Sequence, residues 1–146
     1  MKKILGILVL GFILSSCTPT NYTAESLIEG YTNSVKLAKI NRARLALLEP
    51  GMSKSQVLEI MGTNNAERVN NPYLVSLFGI EEDNITIIYY FTKNPTNYWQ
   101  ATATFDSLTP LVLLNGKLIG WGHEALKRVS EQYDIKIKKD LNIKVE

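Results

Sequence analysis

Residues 111–121, Leu-Val-Leu-Leu-Asn-Gly-Lys-Leu-Ile-Gly-Trp, restrict the possible folds more than any other stretch of this chain. Asn115-Gly116 suits a two-residue type I′ turn, in which both central residues take positive φ, so the flanking segments 111–114 and 117–121 are expected to pair as a hairpin. Simple pairing across the turn sets Leu114 opposite Lys117, Leu113 opposite Leu118 and Val112 opposite Ile119. One face then carries Leu111, Leu113, Leu118 and Gly120, and the other Val112, Leu114, Ile119 and Trp121. Both faces are apolar, whereas a sheet wet on one side alternates apolar with polar residues. The hairpin therefore needs cover on both sides. Residues 124–133, with Leu126, Val129 and Tyr133 on one helical face, are the local candidate for that cover; a partner protein or a membrane surface is the alternative.

Other strand and helix signals surround the hairpin. Residues 85–92 are dense in β-branched and aromatic side chains and read as a strand, on which Tyr89 and Tyr90 point to opposite faces, so that only one is expected in the core. Asn94-Pro95-Thr96-Asn97 reads as a turn, and the alternation at 101–105 as a short strand. Residues 63–84 read as a long irregular connection with an apolar island at 73–80. Further upstream, Asn33 or Ser34 caps a helix whose Leu37, Ile40, Ala43 and Leu47 recur on one stripe, with Lys36, Lys39 and Arg42 on another face, ended by Pro50-Gly51. A second, short helix is more sharply written. Ser53-Lys54-Ser55-Gln56 fits a capping box, Met52 and Val57 occupy the staple positions around it, and Gly62 supplies the stop. At about nine residues this helix has little stability alone and must pack on something larger. These segments predict an α+β domain, two N-terminal helices on a small antiparallel sheet with an additional C-terminal helix.

The N-terminus carries an address rather than a fold. Met1-Lys2-Lys3 is basic, residues 4–14 are uncharged and almost wholly apolar, and Leu14-Ser15-Ser16-Cys17 closes the run with small residues and the only cysteine. That order is the pattern of a bacterial secretory signal. The apolar run, about eleven residues, is too short for a membrane span of roughly twenty. Leu-Ser-Ser-Cys resembles a lipobox, which implies lipidation of Cys17, removal of residues 1–16, and, with Thr18 rather than an acidic residue next, sorting to the outer membrane. An ordinary cleaved signal is the alternative, and no better small-residue site follows. Two or more acyl chains anchor durably where one does not. The expected organisation is a signal at 1–16, a lipidated tether at 17–33, a domain at 34–134, and an edge strand or tail at 135–146.

The order of two helices joined by Pro50-Gly51-Met52-Ser53, then Val57 and Met61-Gly62, then an antiparallel sheet, resembles the SmpA/OmlA (BamE-like) family of small outer-membrane lipoproteins. Residues 108–112, Leu-Thr-Pro-Leu-Val, and 115–122, Asn-Gly-Lys-Leu-Ile-Gly-Trp-Gly, look closer to uncharacterised lipoproteins of that superfamily. The resemblance covers roughly 34–122 and rests on turn, cap and core positions. It implies a helix-helix-sheet domain of the kind shared with β-lactamase inhibitory proteins. It also implies work as a binding or scaffolding subunit, in outer-membrane protein assembly or envelope integrity. A periplasmic inhibitor or small-ligand-binding module is the alternative. The longer connection at 63–84 and the extension after Gly122 depart from the family pattern, and no partner-binding residue carries over.

Charge and reactive residues narrow the function further. Losing Lys2 and Lys3 with the signal brings the 16 basic residues level with the 14 acidic ones. A neutral chain offers no electrostatic footprint for nucleic acid. His123 is the only histidine, so a histidine-rich metal site is excluded. It reads as a helix-entry residue after Gly122. An envelope hydrolase built on Ser107, Asp106 and His123 would lack a nucleophile-elbow context. Glu81-Glu82-Asp83 lacks the spaced oxygen ligands and glycine of a calcium loop and reads as a solvated turn. Gly116, Gly120 and Gly122 do not lie between a strand and a helix as a phosphate loop requires. No enzyme activity, metal or cofactor is expected. Trp99, with Tyr98 beside it in a polar turn, is the best candidate for an exposed partner-binding anchor, and Trp121 is a second. The lysines at 136, 138, 139 and 144 are interleaved with Asp134, Asp140 and Glu146 and read as a solvated edge. The expected partners are the membrane, through lipid on Cys17, and an envelope protein.

Overall fold

The most apolar strand organises the sheet. The computed structural model describes residues 24–63, 70–94 and 104–137, with side chains from Tyr31 onward. β2 (Asp83–Phe91) and β3 (Leu108–Leu114) lie at its centre, flanked by β1 (Leu74–Ile80) and β4 (Lys117–Trp121). The order β1-β2-β3-β4 is an antiparallel meander, joined throughout by neighbours in sequence. Three helices among the described residues complete the domain: α1 (Ala24–Leu45), α2 (Lys54–Met61) and α3 (His123–Gln132). The chain is thus α+β, two helices before the sheet and one after it.

Both faces of the sheet are covered, as the apolar hairpin requires. Ile85, Ile87, Tyr89 and Phe91 of β2 join Leu108 and Val112 of β3 under Ala125, Leu126 and Val129 of α3, with Leu37 and Ala38 of α1 at one end. On the opposite face Ile88, Tyr90, Leu111, Leu113 and Leu118 meet Val57 and Met61 of α2, and Leu48. Tyr89 and Tyr90 do point to opposite faces, but both are buried, at 2% and 0% exposure, because neither face is wet. The expectation that only one tyrosine is core fails for that reason. Val57 and Met61, fully buried, each contribute about 1.5–3 kcal/mol of hydrophobic stabilisation, which seats a helix too short to stand alone.

Local signals set α2. The Gln56 amide donates to Ser53 Oγ at 3.3 Å and the Ser53 amide donates to Gln56 Oε1 at 2.9 Å, closing the capping box. Met52 and Val57 lie in one apolar cluster. Gly62 ends the helix at φ +79°, its N–H on Leu58 O. Arg44 from α1 reaches over this end and donates to Met61 O at 2.7 Å, while the Tyr90 hydroxyl donates to Gly62 O. These bonds occupy carbonyls that the helix end leaves without internal partners.

Four further expectations need correction. First, residues 74–80 are a paired strand and not an irregular connection, in register Leu77↔Thr86 with β2. The tight turn at Glu81-Glu82, with Glu81 at φ +53°, lets them fold back directly. Second, α1 starts at Ala24, nine or ten residues before the expected cap at Asn33 or Ser34; Ser34 is buried inside it, and Ile40 and Leu47 of the supposed apolar stripe are exposed. The buried stripe runs instead through Ser34, Leu37, Ala38 and Asn41. Third, Phe105 begins a 3-10 turn (Phe105–Ser107) and does not end a strand; residues 101–103 are not among those described.

The fourth correction concerns the hairpin. Its turn forms as expected, Asn115 at φ +49° and Gly116 at +76°, with Leu114↔Lys117 and Leu113↔Leu118 paired. Beyond it the register shifts, so that Val112 pairs with Gly120 and Leu111 with Trp121. Ile119 is the extra residue of a β-bulge, and every later side chain of β4 changes face. Trp121 now packs with Leu111, Leu113 and Leu118 on the α2 side. Gly120 faces α3, where a Cβ would lie 3.2 Å from Ala125 Cβ. The shift lets α3 approach β4 over a residue with no side chain.

Candidate interaction surface

The two edges of the sheet differ. The outer edge of β4 is paired by the α1–α2 connection: Gly51 N donates to Leu118 O at 2.7 Å, Leu118 N to Met52 O at 2.8 Å, and Lys54 N to Gly116 O at 2.9 Å. Gly51, at φ +92°, turns the chain onto that edge, and Ser53 bridges to Lys117. The Gly51-Met52-Ser53 segment is therefore an edge cover as well as a helix entry. No described residue pairs with the outer edge of β1. Its side chains alternate between half-buried and exposed; Leu74, Phe78 and Ile80 pack on the α3-side core, while Val75 and Leu77 face outward at 42% and 70% exposure. Leu77 is the most exposed large apolar side chain among the described residues.

A network at the turn end of the sheet ties three elements together. Asp83 Oδ1 accepts from Asn115 Nδ2 at 2.8 Å and Asp83 Oδ2 accepts from the Tyr133 hydroxyl at 3.0 Å. Asn115 Oδ1 accepts from Asn84 N, and Asn115 N donates to Asn84 O. Both hairpin turns and the end of α3 are thereby fixed to each other. The bond to Asp83 raises the Tyr133 pKa, because ionising the phenol would cost the bond and set two anions together. Of the acidic run, Glu81 and Glu82 are exposed and Asp83 carries this structural role, so the solvated reading holds for two of the three.

A second polar cluster closes the opposite end. Asn41, fully buried in α1, donates through Nδ2 to Phe91 O at 2.8 Å and to Asn71 Oδ1 at 3.1 Å, while its own Oδ1 has no partner. Arg42 donates to Thr92 O and Thr92 shares a hydrogen bond with Thr109. Burial pushes the Tyr89 and Tyr90 phenols up to about 12; for Tyr90 the nearby Arg44 charge acts the other way.

The residues considered for chemistry are occupied elsewhere. Ser107 Oγ donates to Thr104 O at 2.7 Å and accepts from Thr104 N, so it closes its own turn. His123 follows Gly122 (φ +86°) as the first residue of α3, with its ring 4.9 Å from that of Phe105 and Nε2 buried without a partner. No hydrogen bond links His123 to Ser107 or Asp106 among the described residues. A cavity of about 350 Å³ lies beside this ring, walled by Phe105, Leu126, Lys127, Ser130 and Ile137. No group of three metal-ligating side chains occurs among the described residues.

Of the anchors expected from sequence, only Trp121 is described, half-buried against the α2-side core. Cys17, Tyr98 and Trp99 lie outside the described residues. The outer edge of β1 escaped the sequence reading, because residues 74–80 carry apolar side chains on both faces and only the assembled sheet shows which strand lies outermost.

The matched stretch of sequence decides the family. Residues 17–128 match the family described as a protein of unknown function (DUF3192), and the chain belongs to that family. The DUF3192 match begins at Cys17 and runs through both core layers into α3. No curated protein and no solved structure is significantly similar to the chain.

Proposed function

We propose that this DUF3192 protein is a lipid-anchored binding or scaffolding protein of the bacterial envelope, held by Cys17 in the outer membrane and facing the periplasm. The observation that carries the reading is Leu14-Ser15-Ser16-Cys17 after a short apolar run. The start of the family match at Cys17 supports it. Helix α1 begins at Ala24, so the link from Cys17 is short, roughly 20–25 Å when extended. No helix among the described residues is long and apolar enough to cross a membrane, so a lipid would be the means of attachment that the sequence itself provides. Confinement to a thin layer raises the effective concentration toward membrane-bound partners, which a recognition surface alone can exploit. The order of two helices before an antiparallel sheet supports kinship with the SmpA/OmlA lipoproteins, and with it a role in envelope assembly or integrity.

The test is metabolic labelling of the full chain with radiolabelled palmitate, followed by membrane fractionation. Label on the wild-type chain, absent from Cys17→Ser, with loss of the variant from the membrane fraction, is the expected result. A Cys17→Ser chain that stays fully membrane-bound refutes the anchor.

The cavity beside His123 favours a second reading, a small-ligand module. Its volume, about 350 Å³, falls at the low end for ligand pockets, and its lining sets the apolar Phe105, Leu126 and Ile137 beside the polar His123, Glu124, Lys127 and Ser130. Native mass spectrometry of the purified chain would show a bound small molecule; a clean apo mass removes this reading.

A further inference from the structure

Protein sheets seldom leave a flat edge open, because unpaired N–H and C=O groups invite another strand. The usual protections are lysine, proline, a bulge or a covering loop. β4 has both a bulge and a cover. β1, Leu-Val-Ser-Leu-Phe-Gly-Ile, has no lysine, proline or bulge within it, no loop among the described residues covers it, and it carries no charge.

Strand geometry fixes which groups point outward. Ile80 and Asp83 close a two-residue hairpin and so exchange hydrogen bonds, and alternate residues back along β1 do the same. Ser76, Phe78 and Ile80 therefore turn their backbone groups toward β2. Val75, Leu77 and Gly79 turn theirs to the open edge. Leu77 is the middle residue of the strand, with Val75 and Gly79 equally spaced about it.

We propose that β1 is a self-association edge, two copies of this chain pairing β1 to β1 antiparallel about a two-fold axis at Leu77. At the axis the two Leu77 residues exchange N–H and C=O, and each Val75 lies against the side-chain-free Gly79 of the other copy. The exposed Leu77 side chains meet on one face, which removes from water the most exposed large apolar group among the described residues. Charge selects the antiparallel arrangement. It holds the two Glu81-Glu82 turns at opposite ends, roughly 27 Å apart at the strand rise, whereas parallel pairing sets them side by side. Strands of this length bury less than the roughly 1,000 Å² of a stable interface. The dimer is accordingly weak in dilute solution and is populated where chains are concentrated, as on a membrane. Only that last step draws on the anchoring proposed above; the pairing geometry is independent of it.

Cys17 is the only native cysteine, so a second one reports cleanly. In a hydrogen-bonded antiparallel pair the facing Cα atoms are about 5.5 Å apart, within disulfide reach. The full chain carrying Leu77→Cys is expressed in cells, exposed to mild oxidant and run on non-reducing gels. The wild type and Glu59→Cys, a substitution on the exposed side of α2, serve as controls. Leu77→Cys is expected to form dimers at least about tenfold faster than either. Val75→Pro, added to Leu77→Cys, removes an outward N–H while sparing the β1–β2 ladder, and is expected to return the rate to the control level with the circular dichroism unchanged. If Val75→Pro perturbs the fold, Val75→Lys takes its place. A Leu77→Cys rate equal to the controls overturns the proposal. So does a rate that rises only after residues 138–146 are deleted, since the tail then covers the edge, and so does crosslinking to a different protein in place of a second copy.

Discussion

Asn41 offers the sharpest test of how α1 is held to the sheet. Its amide orientation is dictated by its surroundings, since Phe91 O can only accept and Nδ2 must face it at 2.8 Å. Asn41→Ala removes that bond and the one to Asn71 Oδ1, and leaves Phe91 O without this donor in a buried site. Two hydrogen bonds at about 1 kcal/mol each, plus desolvation of the abandoned carbonyl, give a loss of roughly 2–4 kcal/mol. For a domain of this size that lowers Tm by about 8–16 °C. Asn41→Asp has nearly the same shape but puts oxygen where the donor was, against two acceptors. Its carboxyl is pushed well above the ordinary carboxylate value of about 3.9 by burial and by acceptor crowding. A group whose folded pKa exceeds its unfolded pKa contributes stability in acid and loses it as pH rises through the folded value. The Asn41→Asp chain is therefore expected to gain stability relative to wild type as pH falls from neutrality, and to be less stable than Asn41→Ala at pH 7. Urea unfolding of both variants across this range measures it. An Asn41→Ala loss below about 0.5 kcal/mol, or a flat pH dependence for Asn41→Asp, refutes the role assigned to this amide.

Two further predictions concern the buried tyrosines of β2 and the end of α2. The Tyr89 and Tyr90 phenols, raised by burial to about 12, ionise more readily once unfolded, so their contribution is intact below about pH 10 and lost between there and about 12. Alkaline unfolding is expected inside that window, with two phenols appearing in the absorbance titration only as the fold is lost; all the tyrosines ionising together near 10 in a folded chain would contradict it. Gly62→Ala meets a positive φ, +79°, and puts a Cβ 2.6 Å from Arg44 Nη1, so it is expected to cost about 2–3 kcal/mol by strain and by loss of the bond to Met61 O. In an Arg44→Ala background the same substitution should cost less, and equal costs in the two backgrounds would show that Arg44 takes no part.

Features decided within a few residues could be read directly from this sequence. The Ser53–Gln56 capping box, the Asn115-Gly116 turn and the entry to α3 at Gly122 each depend on neighbours in the chain. The need for cover on both faces of the hairpin was legible too, because it follows from composition and the two-residue period of a strand. Other features depend on partners distant in the chain, and these only the tertiary structure decided. β1 is a strand because β2 offers a ladder to a segment whose own pattern is weak. The Ile119 bulge, and with it the side taken by Trp121, follows the close approach of Gly120 to Ala125, which no count from the turn contains. Asp83 joins two hairpin turns to the end of α3 across 32 and 50 residues of chain, so its task could not be inferred from its acidic neighbours. The candidate surface belongs to the same class. An open edge is a property of the assembled sheet, visible only once it is known which strand lies outermost and which loop covers the other side.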